Sequence, residues 1–223
     1  MGKRRLRETT RRQRLAPNSG YGYVLIVCEG KKTEPHYFKE LREQYQLSSV
    51  NVEVTSADGT DPVSVVRTAK SKREEAKKRE KPFDRVYCVF DRDEHANFDE
   101  ASRQITKRQK QGFRTARSWP CFEFWLLLHF RYTRQPFQRD GRRTAAQNCE
   151  SALKSEMENY RKGKKGVFTE LLPQLEEAKA NAARALQDAK ATGEYNSATE
   201  IHELVDYLQT SSARKEKSIG RRT

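Results

Sequence analysis

The sequence predicts an α/β fold in which four parallel strands form a sheet covered by helices, followed by a helical C-terminal extension. Apolar, largely β-branched runs at residues 23–28 and 85–90 have the composition of strands that are buried on both faces. Strand-like and helix-like segments alternate from the first of these runs to residue 116, and such alternation is typical of a parallel sheet flanked by helices.

The elements of the predicted α/β domain, residues 21–118, follow one another at short intervals. Strands are predicted at residues 23–28, 51–55, 85–90 and 113–116, and helices at 34–46, from 62 to about 81 and from 99 to 111. Asp61 and Pro62 form a typical helix start, and Thr33 is predicted to cap the first helix. Right-handed crossovers leave few topologies, and a strand order of 2-1-3-4 would make the first and third strands neighbours.

The second part of the chain, residues 119–210, has helical patterning. Its most apolar stretch, residues 120–130, is predicted to be a buried helix that carries one carboxylate, Glu123. Further helices are predicted at 145–160, along a stripe of Leu and Ala residues from 171 to 189, and at 199–209. We expect these helices to pack on the α/β domain as an extension.

The net charge of +14 is concentrated at the two ends of the chain. Residues 1–20 hold seven Lys or Arg against one Glu, and residues 211–223 hold five against one. With few apolar residues to order them, both segments are predicted to be disordered basic tails. Such tails favour a nucleic-acid partner through counterion release, although they could also serve only for solubility.

Membrane and secreted classes do not fit the sequence. No apolar run approaches the roughly 20 residues of a membrane span, and the basic N-terminus lacks the apolar segment of a signal peptide. The four cysteines contain no C-x-x-C pair, so they are interpreted as reduced core residues. We therefore expect a cytoplasmic protein with no membrane partner.

Carboxylates follow the two predicted buried strands at the point where each strand ends. Glu29 follows the first, and Asp91 and Asp93 follow the third. Residues two apart in an extended segment point the same way, and Mg²⁺, like Mn²⁺, takes carboxylate oxygens together with phosphate and water. The pattern predicts a metal site in which Glu29 is a further ligand or a proton shuttle. The alternative is a pair of turn-forming aspartates and a helix-capping glutamate.

Several other residues are candidates for supporting roles. Lys31 and Lys32 could bind phosphate or offset the local negative charge, and His95 could assist acid–base chemistry or lie at the surface. Glu123 could be a metal ligand, part of a structural ion pair or part of an exposed stripe. Two basic loops could follow a nucleic-acid backbone, through Arg131, Arg134, Arg139, Arg142, Arg143, Lys162, Lys164 and Lys165.

Three segments of the chain resemble the signature blocks of the RloB-like family. They are residues 28–34 (CEGKKTE), 90–95 (FDRDEH) and 120–130 (PCFEFWLLLHF), and residues 196–205 (NSATEIHELV) resemble a fourth, looser block. Two departures stand out: Trp119 stands where the family usually has Asn, and Ala198 and Glu200 lie in a stretch that is usually richer in Ser and Thr.

The resemblance implies a Toprim-like fold, in which a Glu after the first strand and a D-x-D after the third bind Mg²⁺ for phosphodiester chemistry. Glu29, Asp91 and Asp93 stand at those positions. The resemblance therefore implies a metal-dependent nuclease, a hydrolase of DNA or RNA, that acts in prokaryotic anti-phage defence with an ATPase of the ABC/AAA type. The alternative is a non-catalytic nucleic-acid-binding or regulatory subunit of such an ATPase complex.

Overall fold

A five-stranded sheet with the order β2-β1-β3-β4-β5 lies at the centre of the protein. The computed structural model describes residues 22–47, 51–93 and 95–219, with side chains as far as residue 211. The strands are β1 Val24–Cys28, β2 Val52–Ser56, β3 Arg85–Asp91, β4 Phe113–Trp119 and β5 Ala198–Thr199. The helices are α1 Thr33–Gln44, α2 Pro62–Lys78, α3 Phe98–Thr106, α4 Glu123–Leu127, α5 Ala145–Glu156, α6 Val167–Leu171, α7 Leu175–Thr192 and α8 Ile201–Ile219.

The α/β class and the order of the first four strands are confirmed, but the predicted four-stranded sheet is wrong because a fifth strand is present. β1 to β4 are parallel, and β5 pairs antiparallel with β4, with Thr199 opposite Ser118 and Ala198 opposite Trp119. A two-residue strand is too short to show an alternating pattern, so its composition could not reveal it. β5 attaches the C-terminal part of the chain to the edge of the sheet.

Both faces of the sheet are buried, and each contributes to a separate apolar cluster. Ile26 of β1 packs in the cluster that α1 shares with most of the C-terminal helices, where Trp125 is fully buried. Leu25, the next residue along β1, faces the cluster formed with α2 and α3, which includes Phe90. The adjacent residues of one strand thus serve different cores, which explains the continuous apolar run in β1.

Helix boundaries follow the sequence signals in part. Asp61 caps α2 by accepting hydrogen bonds from the amides of Val63 and Ser64, as predicted. Thr33 does not cap α1, because Lys32 occupies the cap position without a side-chain hydrogen bond. The predicted helix at 120–130 is reduced to the five residues of α4.

The helical part also differs in detail from the prediction. The stripe from 171 to 189 spans the end of α6, a short 3₁₀ turn over Leu172–Gln174 and most of α7. Pro173 lies in that turn, where its ring disfavours a continuous α-helix. α8 continues to Ile219, beyond the predicted end near 209. The predicted basic arm, residues 1–20, lies outside the described residues, as do 220–223.

In the part of the chain that the structure describes, none of the helices combines the length and the apolar character needed to cross a membrane.

Candidate active site

A cavity of about 510 Å³ opens at the carboxyl ends of β1 and β3, where these neighbouring strands leave the sheet. The end of a parallel sheet is the usual place for a site in α/β proteins. The cavity is lined by side chains from both strand ends, from the start of α1, from the segment around α4 and from the loop after α5. The titratable lining residues are Glu29, Lys31, Lys32, Glu34, Asp91, Asp93, His95, Cys121, Glu123 and Lys162.

Glu29 connects the two strand ends. Its amide donates to the carbonyl of Val89 at 2.9 Å, which extends the pairing of β1 with β3 by one residue. Its carboxylate Oε2 accepts a hydrogen bond of 3.2 Å from the amide of Asp91, and Oε1 lies 2.7 Å from Nε2 of His95. The side chain is only 11% exposed. Glu29 is therefore fixed between the backbone of one acid and the ring of a histidine, instead of capping α1.

The segment of Asp91 and Asp93 is held by its backbone. Asp91 ends β3 opposite Ser118, and the amide of Arg92 donates to the carbonyl of Ser118 at 2.8 Å. The amide of Asp93 donates to the carbonyl of Pro120 at 2.9 Å. Asp93 has a φ of 22°, so the extended geometry of β3 ends there, in a region that aspartate tolerates better than most residues. Both carboxylates nevertheless line the cavity.

Burial and mutual repulsion raise the pKa values of the acids in the cavity. The pKa of Glu29 rises to about 7, first because the side chain is buried and then because Glu34 and Asp93 repel its charge, although the amide of Asp91 partly offsets this. The pKa of Asp91 rises well above its usual value through burial, followed by the charges of Glu34, Glu123 and Glu29. These carboxylates thus influence one another across the cavity.

Glu34 is a site residue that the sequence analysis did not single out. It lies in the first turn of α1, 7% exposed, and burial followed by the charge of Glu123 raises its pKa to about 7. Its place in the 28–34 signature block was the available signal. A carboxylate is favourable in the first turn of any helix because it interacts with the helix dipole. The presence of Glu34 there therefore did not indicate that it lines a cavity.

Glu123, for which three roles were open, is buried at the start of α4 with 4% of its side chain exposed. The hydroxyl of Tyr160 donates to its Oε1 at 2.9 Å, and Nζ of Lys162 lies 3.8 Å from the same oxygen. An exposed stripe is therefore excluded. Tyr160, which lies between α5 and α6, is a second residue that the sequence analysis missed, because only the fold brings it to Glu123.

The donor chemistry of the cavity suits a hard cation, although no metal-binding cluster is preformed. Across residues 22–47, 51–93 and 95–211, no group of three or more His, Cys, Asp or Glu side chains is arranged so that it could hold a metal ion. Mg²⁺ commonly takes only one or two protein carboxylates and completes its shell with water and phosphate oxygens. The repelling carboxylates Asp91, Asp93 and Glu29 offer such oxygens, so these residues fit the ion by chemistry.

The other predicted site residues divide into two groups. Lys31, Lys32, His95 and Lys162 line the cavity. The remaining basic residues lie outside the cavity. Arg131 forms an ion pair with Glu156 (3.0 Å) and Lys164 with Glu170 (2.6 Å), while Arg134 donates to the carbonyls of Ser197 and Glu194. The others are exposed at the surface: Arg139, Arg142, Arg143 and Lys165. A nucleic-acid-binding role for this second group stays a prediction.

The fold and the cavity define an α/β protein with an acidic site at the carboxyl edge of a mostly parallel sheet. The chain belongs to the RloB-like protein family, because the sequence model of that family matches residues 24–208. The match covers the whole sheet and every residue that lines the cavity. No curated protein and no solved structure matches the chain.

Proposed function

We propose that this RloB-like protein is a Mg²⁺-dependent, Toprim-like nuclease that cleaves phosphodiester bonds in DNA or RNA. The observation that carries the proposal is the hydrogen bond from the amide of Asp91 to the carboxylate of Glu29, which joins the ends of two neighbouring strands inside one cavity. A Glu after the first strand and a D-x-D after the third is the arrangement expected of a Toprim-like site.

Asp91 and Asp93 would hold the ion, with Glu29 as a further ligand or as the group that moves a proton. When bound, Mg²⁺ or Mn²⁺ would polarise the phosphate and stabilise the negative charge that develops during cleavage. Burial raises the pKa of Glu29 to about 7, and a proton acceptor works best when its pKa is near the operating pH. Nε2 of His95 lies 2.7 Å from Oε1 of Glu29, which holds the carboxylate in place.

A nucleic-acid substrate is supported by charge. The chain carries a net charge of +14, and the exposed Lys31 and Lys32 line the cavity together with its carboxylates. A polyanion approaching this edge would meet ammonium groups before it meets the carboxylates. The positive charges of Lys31 and Lys32 would thus offset the repulsion between a phosphate and the carboxylates of the cavity.

The test is cleavage of labelled duplex DNA, single-stranded DNA and RNA, with Mg²⁺ and with EDTA. Glu29→Gln, Asp91→Asn and Asp93→Asn should each abolish cleavage while binding of the nucleic acid persists. Matched control variants are Glu177→Gln and Asp99→Asn, which remove exposed carboxylates outside the cavity and should cleave as wild type does. Cleavage that persists in all three site variants would overturn the proposal. Metal-independent binding without cleavage in wild type would favour the non-catalytic, regulatory function instead.

Regulation by a partner is part of the proposal, since a nuclease that is always active would harm its host. We infer a role in anti-phage defence with an ATPase of the ABC/AAA type, in line with the family to which the chain belongs. The isolated chain should cleave slowly and the complex faster, with the increase lost in Asp91→Asn. Vigorous cleavage of host nucleic acid by the isolated chain at physiological Mg²⁺ would contradict this regulation.

A further inference from the structure

The loop after α5 is tied to α1 by its backbone. The amide of Gly163 donates to Oγ1 of Thr33 at 2.9 Å, and its carbonyl lies 3.2 Å from Nδ1 of His36. We call residues 161–168 the strap. Thr33 and His36 are three residues apart on α1, so both face the same side of the helix. Thr33 contacts the amide of Gly163 and His36 contacts its carbonyl.

A third residue on that side of α1, Glu40, holds the far end of the strap. Its Oε1 accepts from the amide of Gly166 at 2.6 Å and its Oε2 from the amide of Phe168 at 3.0 Å. Phe168 is itself buried against Tyr37, with ring centroids 5.1 Å apart. Glu40 does not line the cavity, so its contacts with the strap are separate from the acidic site.

Lys162 is the strap residue that these contacts bring into the cavity. Its Nζ lies 3.8 Å from Glu123 Oε1 and 3.9 Å from Glu150 Oε2, both near the limit of an ion pair. Each of these acids has a closer partner, the hydroxyl of Tyr160 at 2.9 Å and Nζ of Lys154 at 2.7 Å. The side chain of Lys162 remains 57% exposed, so its ammonium can contact an incoming anion. Glu123 and Glu150 would still keep their closer partners, Tyr160 and Lys154.

We propose that Lys162 binds a phosphate of the substrate inside the cavity, and that Glu40 is a positioning residue that acts on this contact through the backbone of the strap. The inference rests on the proposed function, because it specifies how a polyanion is held at the acidic site. An ammonium is a strongly hydrated point charge that commonly binds phosphate. Lys165, in the same strap but outside the cavity, does not share this role.

The test measures binding, so that it does not depend on cleavage. A short labelled single-stranded DNA and an RNA of the same sequence are titrated in EDTA at several salt concentrations, against the full chain with Asp91→Asn. Adding Lys162→Met should reduce the slope of log affinity against log salt by about 0.7, the loss of one phosphate contact on a single strand. Adding Lys165→Met removes the same charge from the strap and should change the slope less.

Whether Glu40→Ala raises or lowers the affinity for the oligonucleotide distinguishes a positioning role of Glu40 from the simple effect of its negative charge. Glu40→Ala and Glu43→Ala both remove one negative charge from α1, which by itself should tighten binding of a polyanion. Glu43 is exposed, and among the described residues its ion-pair contact is with Arg42 at 3.9 Å, so its variant should bind slightly more tightly or unchanged. Glu40→Ala should instead bind more weakly, and this loss should vanish in the Lys162→Met background.

A glycine pair provides a second route to the same result if Glu40→Ala folds poorly. Gly163 and Gly166 have φ values of 79° and 80°, so alanine is strained equally at both. A Cβ on Gly163 would lie 3.0 Å from the side chain of Lys32, whereas one on Gly166 would meet open space. Gly163→Ala should therefore weaken binding more than Gly166→Ala does, and the part of this difference that is due to Lys162 should vanish in the Lys162→Met background.

Equal effects of Lys162→Met and Lys165→Met, or Glu40→Ala binding as tightly as Glu43→Ala, would overturn the proposal. So would a complete lack of oligonucleotide binding in the Asp91→Asn protein. Failure of the nuclease function has a different signature, because cleavage would then be absent or unaffected by the site variants while the Lys162-dependent slope is still observed.

Discussion

Arg117 and Glu200 are joined by four hydrogen bonds. The guanidinium donates from Nε to Oε2 at 3.0 Å and from a terminal nitrogen to Oε1, and the amide of Arg117 donates to Oε2 at 3.1 Å. In return, the amide of Glu200 donates to the carbonyl of Arg117 at 2.8 Å. Glu200 directly follows β5, so these bonds link the start of the last helical segment to β4.

Replacing Glu200 with Gln should destabilise the protein, because the half-buried guanidinium of Arg117 would lose its counter-charge. The expected loss is about 1.5–3 kcal/mol in the free energy of unfolding, the usual size for hydrogen bonds to charged groups. Urea unfolding at neutral pH measures it. Glu203→Gln, three residues further on in α8, is the control, since its 3.8 Å contact with Lys190 is exposed and should be worth less than about 1 kcal/mol. Equal losses in the two variants would contradict this account.

The stabilisation by Glu200 should disappear in acid. Burial on its own would raise the pKa of Glu200, but the hydrogen bonds and charge of Arg117 outweigh burial and the net pKa is lowered. The unfolded chain then takes up a proton before the folded one as the pH falls. The contribution is complete above about pH 5 and is lost as the pH falls through the folded pKa.

The measurement for this pH dependence is the difference in unfolding free energy between wild type and Glu200→Gln at several pH values. Both proteins contain the same cavity acids, so the pH dependence that these acids contribute to the unfolding free energy is equal in the two and cancels when one value is subtracted from the other. The difference in unfolding free energy should narrow steadily as the pH falls below about 5. A gap that stays constant or widens in acid would show that Arg117 does not lower the pKa of Glu200.

Asp91→Asn should stabilise the protein when no metal is present. The charges of Glu29, Glu34 and Glu123 all raise the pKa of Asp91, which means that its ionised form is repelled in the folded state. A relief of about 1 kcal/mol would raise the melting temperature by roughly 2–4 °C in a protein of this size. Thermal melts in EDTA at several pH values measure the effect, which should grow as the pH rises and more of Asp91 is ionised in wild type.

Mg²⁺ should reverse the order of these melting temperatures. Mass action stabilises the form that binds the ion, so wild type should gain more than Asp91→Asn does. Asp99→Asn removes an exposed carboxylate of α3 outside the cavity, and its gain in melting temperature on addition of Mg²⁺ should equal that of wild type. An Asp91→Asn protein that melts no higher in EDTA and gains as much from Mg²⁺ would rule out a metal site at Asp91.

The basic arm, residues 1–20, should supply much of the salt dependence of nucleic-acid binding. It carries seven Lys or Arg and one Glu. On duplex DNA, each phosphate contact that is lost lowers the slope of log affinity against log salt by about 0.9. Binding titrations of the full chain, and of a variant with the seven basic residues changed to Gln, give the two slopes. An unchanged slope would assign the polyanion contact to the folded part.

The parallel sheet could be predicted from the sequence because its two central strands, β1 and β3, have strong local signals. β1 is apolar throughout and fully buried, and β3 is apolar and buried between its charged end residues, so composition identified them without tertiary information. β5 has only two residues, and its pairing depends on Trp119 at the end of β4. The single long helix predicted over 171–189 failed because Pro173 interrupts the stripe.

The strand-end acids of the site were predictable for the same reason, since the end of a strong strand signal locates the residue that follows it. Lys162 and Lys165 could not be told apart in sequence, because both lie in one basic loop. Only the contacts of Gly163 with α1 decide which lysine enters the cavity. Tyr160 likewise has no local pattern, and its hydroxyl reaches Glu123 through the packing of the helical part.

The segment that carries Asp91 and Asp93 is positioned by main-chain hydrogen bonds to Ser118 and Pro120, and none of these bonds uses a carboxylate. Both carboxylates can therefore be changed to amides of the same shape while these main-chain bonds are kept. On the proposed nuclease function, Asp91→Asn combined with Asp93→Asn should bind a nucleic acid without cleaving it. Nucleic acid that is crosslinked to this variant inside cells and then sequenced would identify the natural target.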